Sequence, residues 1–115
     1  MDLKQSILEC SDLAEEVYEV PEWGGVSILL RGLTCEQLSR TRSASTRNGQ
    51  MDNGLLGVLT LIEGANDPQT RRQLFEQAHR DALLKKNAAV VDRIATRILN
   101  LSGAGPTAQA DAEKN

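Results

Sequence analysis

Between Glu16 and Thr34 the chain holds a block of β-branched and aliphatic residues together with two of its three aromatics, Tyr18 and Trp23. Two runs in it alternate as strands do, Val17-Tyr18-Glu19-Val20 and Val26-Ser27-Ile28-Leu29-Leu30, and Pro21-Glu22-Trp23-Gly24-Gly25 divides them. A proline followed by paired glycines between alternating runs predicts an antiparallel hairpin over about residues 16–31. Pro21 fixes φ and lacks a donor, so it stands where the ladder stops. Gly24 and Gly25 supply the positive φ that the reversal needs. Trp23 is thereby carried near the hairpin tip.

The rest of the chain has mostly helical spacing. Leu3, Ile7 and Leu8 fit a short amphipathic helix over 3–9 started by Asp2, too short to stand without packing. Thr34-Cys35-Glu36-Gln37 has capping-box spacing, with Leu33 and Leu38 placed as a hydrophobic staple, so a helix starts at Cys35. Its continuation is rich in Ser and Thr, which compete for backbone hydrogen bonds, and it is expected to fray by about Ser45. Residues 47–54 read as a loop with two Asn-Gly turn signals. Leu55, Leu56, Val58, Leu59, Leu61 and Ile62 fit either a helical stripe or a two-sided buried strand, and periodicity leaves both open. Asp67-Pro68 has the form of an N-cap and first helical position, opening a helix whose face is Leu74, Phe75, Ala78, Ala82 and Leu83. Asn87 caps a closing helix striped by Val90, Val91, Ile94, Ala95, Ile98, Leu99 and Leu101, with Gly103 placed to end it. Residues 106–115, PTAQADAEKN, have no apolar face and read as a mobile tail.

These elements define an α+β fold, a small antiparallel hairpin or sheet packed by three or four helices, in one domain over residues 1–105. A chain of 115 residues supports one modest core. With one Trp, one Tyr and one Phe, that core has to come from Leu, Ile, Val and Ala. No apolar run approaches a membrane span, and Met1 leads no basic-then-apolar signal segment, so the chain reads as cytosolic with no membrane partner.

The net charge of −3 conceals a segregation. Residues 1–22 carry seven acids against Lys4 alone, whereas residues 70–97 carry seven bases against three acids. The simplest arrangement folds an acidic hairpin over a basic helical body. A basic face for nucleic acid is the alternative, but a pI of about 5.1 and the lack of interleaved aromatics argue against it.

Candidate chemistry is sparse. His79 is the only histidine and sits among polar helix neighbours. Cys10 and Cys35 have neither metal-ligand spacing nor an activating motif. Glu15-Glu16 lies in no cation-binding loop, and Gly24-Gly25 opens no phosphate-binding motif. No catalytic residue, metal site, cofactor or small-molecule substrate is indicated, and the chain does not read as an enzyme. Two features fit protein partners instead. Trp23, flanked by Pro21 and Glu22, is either a lid on the core or a rigid aromatic anchor. The closing helix offers Val91, Ile94 and Ile98 with Arg93 and Arg97 flanking, a stripe wide enough for core and partner.

The acidic lead-in, Val20-Pro21-Glu22-Trp23-Gly24-Gly25 and the strand ending in Arg31-Gly32-Leu33-Thr34 resemble the start of tail assembly chaperones of long-tailed bacteriophages. The likeness takes in Leu3, Ile7, Leu8 and Ser11-Asp12-Leu13, returns at Leu74-Phe75, and continues from Asn87 to Gly103. It covers roughly residues 1–38 and 70–103, while the Ser/Thr/Arg-rich residues 39–69 depart from it. The resemblance favours a helix over 54–63. It implies binding of the tape measure protein and of the tail tube protein, with self-association also open, in the cytoplasm of the infected host and outside the mature virion. A small tail or head–tail connector protein retained in the virion is the alternative. The resemblance also implies a longer product made by ribosomal slippage near the end of the frame. Glu113-Lys114-Asn115 can be encoded with the heptamer A-AAA-AAC, which permits a −1 shift.

Overall fold

The computed structural model describes residues 2–104. It opens with helix α1 (Leu3–Glu9), whose N-cap Asp2 accepts from the Gln5 backbone N–H at 2.8 Å. Strands β1 (Glu15–Val20) and β2 (Val26–Arg31) follow, joined by a 3-10 turn over Pro21–Trp23. Gly24 and Gly25 both take positive φ there, 80° and 74°, as the reversal requires. The strands pair antiparallel from Glu15↔Arg31 to Val20↔Val26. Glu16, Tyr18, Val20, Ile28 and Leu30 therefore share one face of the sheet, since residues directly opposite project together.

Helix α2 (Cys35–Ala44) starts at the expected capping box. Thr34 Oγ1 accepts from Gln37 N at 3.1 Å, and Gln37 Oε1 accepts from Thr34 N at 2.9 Å. The first Asn-Gly pair makes a short hairpin of β3 (Thr46–Arg47) and β4 (Gln50–Met51). Asn48 and Gly49 both have positive φ, the conformation of a type I′ turn. The second pair differs from its expected loop role, because Asn53 and Gly54 form the first turn of α3 (Asn53–Gly64), capped by Asp52. The ambiguous apolar block is thus a helix. Eight of its residues are buried, from Leu55 to Gly64.

The stretch after α3 departs from expectation. Ala65–Asn66 is strand β5, which pairs antiparallel with β2 (Leu29↔Asn66, Leu30↔Ala65) and makes the sheet three-stranded in the order β1-β2-β5. Asp67-Pro68 begins no helix. The Asp67 carboxylate accepts from Gln69 N at 2.8 Å and Thr70 N at 3.4 Å, closing a tight turn in which Arg71 has φ 63°. Asx-type bonding and helix capping use the same acceptor geometry, and here the turn wins. The chain then returns past Asn66, and Gln73 Nε2 donates to Ile62 O at 2.7 Å, satisfying a carbonyl at the end of α3. Leu74 and Phe75 precede the helix, which is confined to α4 (Arg80–Leu84) behind a 3-10 turn over Gln77–His79; of the expected face only Leu83 is buried.

The closing helix α5 (Ala88–Leu101) matches its stripe and its Asn87 cap. Gly103 has φ 76° and donates to Asn100 O at 3.0 Å, ending the helix. The core lies between the inner sheet face and the α3–α5 pair, and contains Val20, Ile28, Leu30, Val58, Leu61, Ile62, Val90, Ile94 and Ile98. Five α-helices rather than three or four are present among the described residues, although α1 buries nothing. The expected tail, 106–115, lies outside the described residues.

Close approach of α3 to α5 depends on Gly64. A Cβ there would stand 2.5 Å from Ile98 Cγ2 and 3.0 Å from Arg31 O. Gly64→Ala should therefore force α3, α5 and β2 apart. The expected loss is about 1–3 kcal/mol in chemical denaturation, as for other overpacked cores. An unchanged midpoint would mean the packing is looser than this geometry.

Candidate interaction surface

The hairpin is tied to α5 by charge. Arg93 and Arg97, one turn apart, reach back to β1 from either side of Tyr18. Arg93 Nε donates to Tyr18 Oη at 2.6 Å, while its two terminal nitrogens make a fork on Glu22 at 2.8 and 2.7 Å. Arg97 lies over the Tyr18 ring, 4.6 Å from the centroid, and its Nε donates to Glu16. Planar guanidinium suits both tasks, stacking on an aromatic face and binding a carboxylate in two places. At the other end of β1, Arg71 donates to both carboxylate oxygens of Glu15 at 2.7 and 2.6 Å, with Arg31 at 3.6 Å across the strand pair. Glu15, Glu16 and Glu22 of the acidic segment are thus partnered by Arg71, Arg97 and Arg93 of the basic one, as the simplest arrangement of the segregated charges predicts.

Each sequence-selected residue has a definite place. Pro21 and Glu22 form the exposed tip turn, and Glu22 is the carboxylate that Arg93 holds. Trp23 is half-buried and packs against the core from the tip, with the rest of its surface open. Arg93 and Arg97 meet the hairpin. Val91, Ile94 and Ile98 are 6%, 0% and 0% exposed, so this stripe is core and offers no surface to a partner in this conformation. Burial follows from α3, whose apolar residues leave α5 no free apolar face on that side. Tyr18 and Arg71 were not singled out from sequence, and Glu15 and Glu16 were weighed only as cation ligands. The signal for Tyr18 was the alternation that sets it beside Glu16 on one strand face, opposite two arginines at i, i+4 spacing.

His79 Nδ1 accepts from Glu76 N at 2.9 Å, a local capping role. Cys10 and Cys35 are exposed free thiols. Among the described residues no group of three or more His, Cys, Asp or Glu could hold a metal ion, and no helix is long and apolar enough to cross a membrane.

The three-stranded antiparallel sheet backed by a buried helix and a longer amphipathic one is a fold shared with a solved phage protein. One solved structure similar in fold is the tail assembly chaperone of bacteriophage HK97, with a TM-score of 0.66 at 21% sequence identity, covering 86% of this chain and 91% of that one. The resemblance found in the sequence is therefore matched in fold. No protein-family model matches the chain, and no curated protein does.

The latch has a pH signature. Hydrogen bonds from Arg93, aided by the tip backbone, hold the Glu22 carboxyl down from its ordinary 4.5 to about 2. Glu15 is lowered in the same direction, chiefly by its hydrogen bond from Arg71. A depressed carboxylate stabilises the fold fully above its unfolded value and loses that contribution as pH falls through the folded one. The melting temperature should fall between pH 4.5 and about 2, and the fall should be shallower in Glu22→Gln. Parallel curves for the two proteins would show that the latch contributes nothing.

Proposed function

We propose that this protein is a phage tail assembly chaperone acting by binding alone, with the tape measure protein and the tail tube protein as its clients. The observation that carries the reading is the fold shared with the HK97 chaperone across most of both chains. The absence of a recognisable catalytic constellation in the sequence accords with a binding role and with no cofactor. A client of this kind needs apolar surface that can be covered and released. In this chain the half-open Trp23 at a rigid tip, beside Pro21 and Glu22, has the character of an interface hot spot. Arg93 and Arg97 set the position of that tip. The site of action is the cytoplasm of the infected host, and the protein is left behind when the virion matures.

Co-expression with each client, followed by pull-down, tests the assignment, and mass spectrometry of purified virions separates it from a structural tail or connector protein. The expected result is client capture and absence from particles; abundant protein in virions with no client captured would overturn it. Trp23→Ala should weaken client binding by about 2 kcal/mol or more while leaving the melting temperature nearly unchanged. A loss of several degrees of melting temperature would assign the ring to the core instead.

The longer product belongs to the same reading. A −1 shift at the codons of Glu113-Lys114-Asn115 would join an extension at or just beyond Asn115, leaving the α+β domain common to both products. Inspection of the gene decides it: absence of a slippery heptamer in the last codons, or of an overlapping −1 frame, removes the idea.

A further inference from the structure

The two edges of the three-stranded sheet are finished differently. At one edge, β5 is two residues long and is followed by the isolated bridge from Asn66 to Gln73. At the other, β1 runs six residues in unbroken register, and among the described residues no strand pairs with its outer side. The ladder fixes which backbone groups stand free. Gly32 N–H donates to Ala14 O at 2.9 Å and Gly25 N–H donates to Val20 O at 3.0 Å, so the even-numbered residues of β1 bond inward to β2. Alternate residues of an antiparallel pair turn their N–H and C=O to opposite sides, which leaves those of Glu15, Val17 and Glu19 pointing out. All three residues are exposed, Val17 by 63%. We infer that this edge takes an extended strand from a client chain, with a cationic side chain opposite Glu19 and an aliphatic one opposite Val17.

Backbone spacing selects the shape of the occupant. Free donor and acceptor groups recur about every 7 Å along the edge, a repeat that a strand matches and a helix does not. Charge selects its chemistry. Glu15, Glu16 and Glu22 are held by Arg71, Arg97 and Arg93, whereas Glu19 has no ion-pair partner among the described residues. Opposite charges facing each other across a strand pair stabilise it, and like charges oppose it. Two arginines, Arg31 and Arg71, already crowd Glu15, so a cation is unwelcome at that end. The complementary strand therefore carries its positive charge toward the hairpin tip and a neutral side chain at the far end. The edge runs out at the turn that bears Trp23, so the docked strand and the aromatic anchor form one continuous surface. That a client supplies the strand rests on the chaperone reading; the preference of the edge does not.

The probe is a capped synthetic peptide, Thr-Lys-Thr-Val-Thr-Gln-Thr, whose Lys and Val are spaced as Glu19 and Val17 are. Amide hydrogen exchange on the full chain reads its binding residue by residue. Exchange at Glu15, Val17 and Glu19 should slow as peptide is added. Replacing the peptide Lys by Glu should weaken binding about fivefold or more, and Glu19→Lys should reverse that preference. Val17→Pro removes an outward donor without touching the β1–β2 ladder, so it should keep the melting temperature and lose the peptide. The proposal is overturned by absence of protection with the Lys peptide, or by equal binding of the two peptides. Protection that rises with protein concentration alone would make a second copy the occupant and overturn it too. Should Val17→Pro fail to fold, Glu19→Lys decides. In client pull-down, Val17→Pro should capture about tenfold less than the wild type. Undiminished capture would sink this inference and leave the chaperone reading intact. A wild type that binds the peptide but captures neither client would sink the chaperone reading and leave the strand preference of the edge standing.

Discussion

Helix α3 has no polar side, and everything else is arranged to cover it. Leu55, Val58, Leu59, Leu61 and Ile62 are all buried, so the helix needs neighbours on every flank rather than along one stripe. α5 covers one flank with Val91, Ala95 and Ile98, α2 another, and α4 contributes Leu83. With aromatic residues nearly absent, volume comes from branched aliphatics, and close packing from glycine. Gly57 admits the Val91 side chain and Gly64 admits Ile98. A core of this kind is dense but thin, and it leaves the outer sheet face and α1 with little to pack on.

Much of this was legible where one local rule acted unopposed. The Thr34–Gln37 capping box, the Asn87 cap, the Gly103 stop and the proline-glycine reversal all rely on contacts within a few residues. The 55–62 block defeated periodicity because a helix buried on all sides carries no stripe. The failures share a cause: one residue type serves two geometries. Asp67 caps a turn where it was expected to cap a helix, since the chain must return to pair with Asn66. Asn48-Gly49 turns a hairpin, yet Asn53-Gly54 enters a helix because Asp52 stands ready as its cap. β5 is two residues long, and no sequence pattern announces a strand so short.

The interaction surface was half legible. Charge segregation foretold that the acidic hairpin would meet basic helices, and the structure resolves this into particular pairs centred on Tyr18. Individually such half-exposed pairs contribute little. Their value is positional, since a forked arginine on Glu22 and a stacked one on Tyr18 fix the angle at which Trp23 stands. The aliphatic stripe of α5, expected to serve core and partner together, is taken up by the core in this conformation, because sequence cannot say how many elements compete for one face. The long-range closure of Leu33 onto Ser102 left no sequence trace either.

The latch pairs are separated by 71 and 81 residues along the chain, Glu22 to Arg93 and Glu16 to Arg97. The hairpin is complete once Arg31 is made, but its arginines are not yet synthesised. At translation rates of ~5–20 residues per second, closing the first gap takes about 4–14 s. Until α3 and α5 have both been made, the β1–β2 ribbon lacks the helices that complete the core around Val20, Ile28 and Leu30, and an isolated two-stranded hairpin is marginal in water. The nascent chain therefore spends seconds as an uncovered strand pair. The acids along β1, not yet neutralised, are what keeps its edge from pairing with a neighbour on the same message.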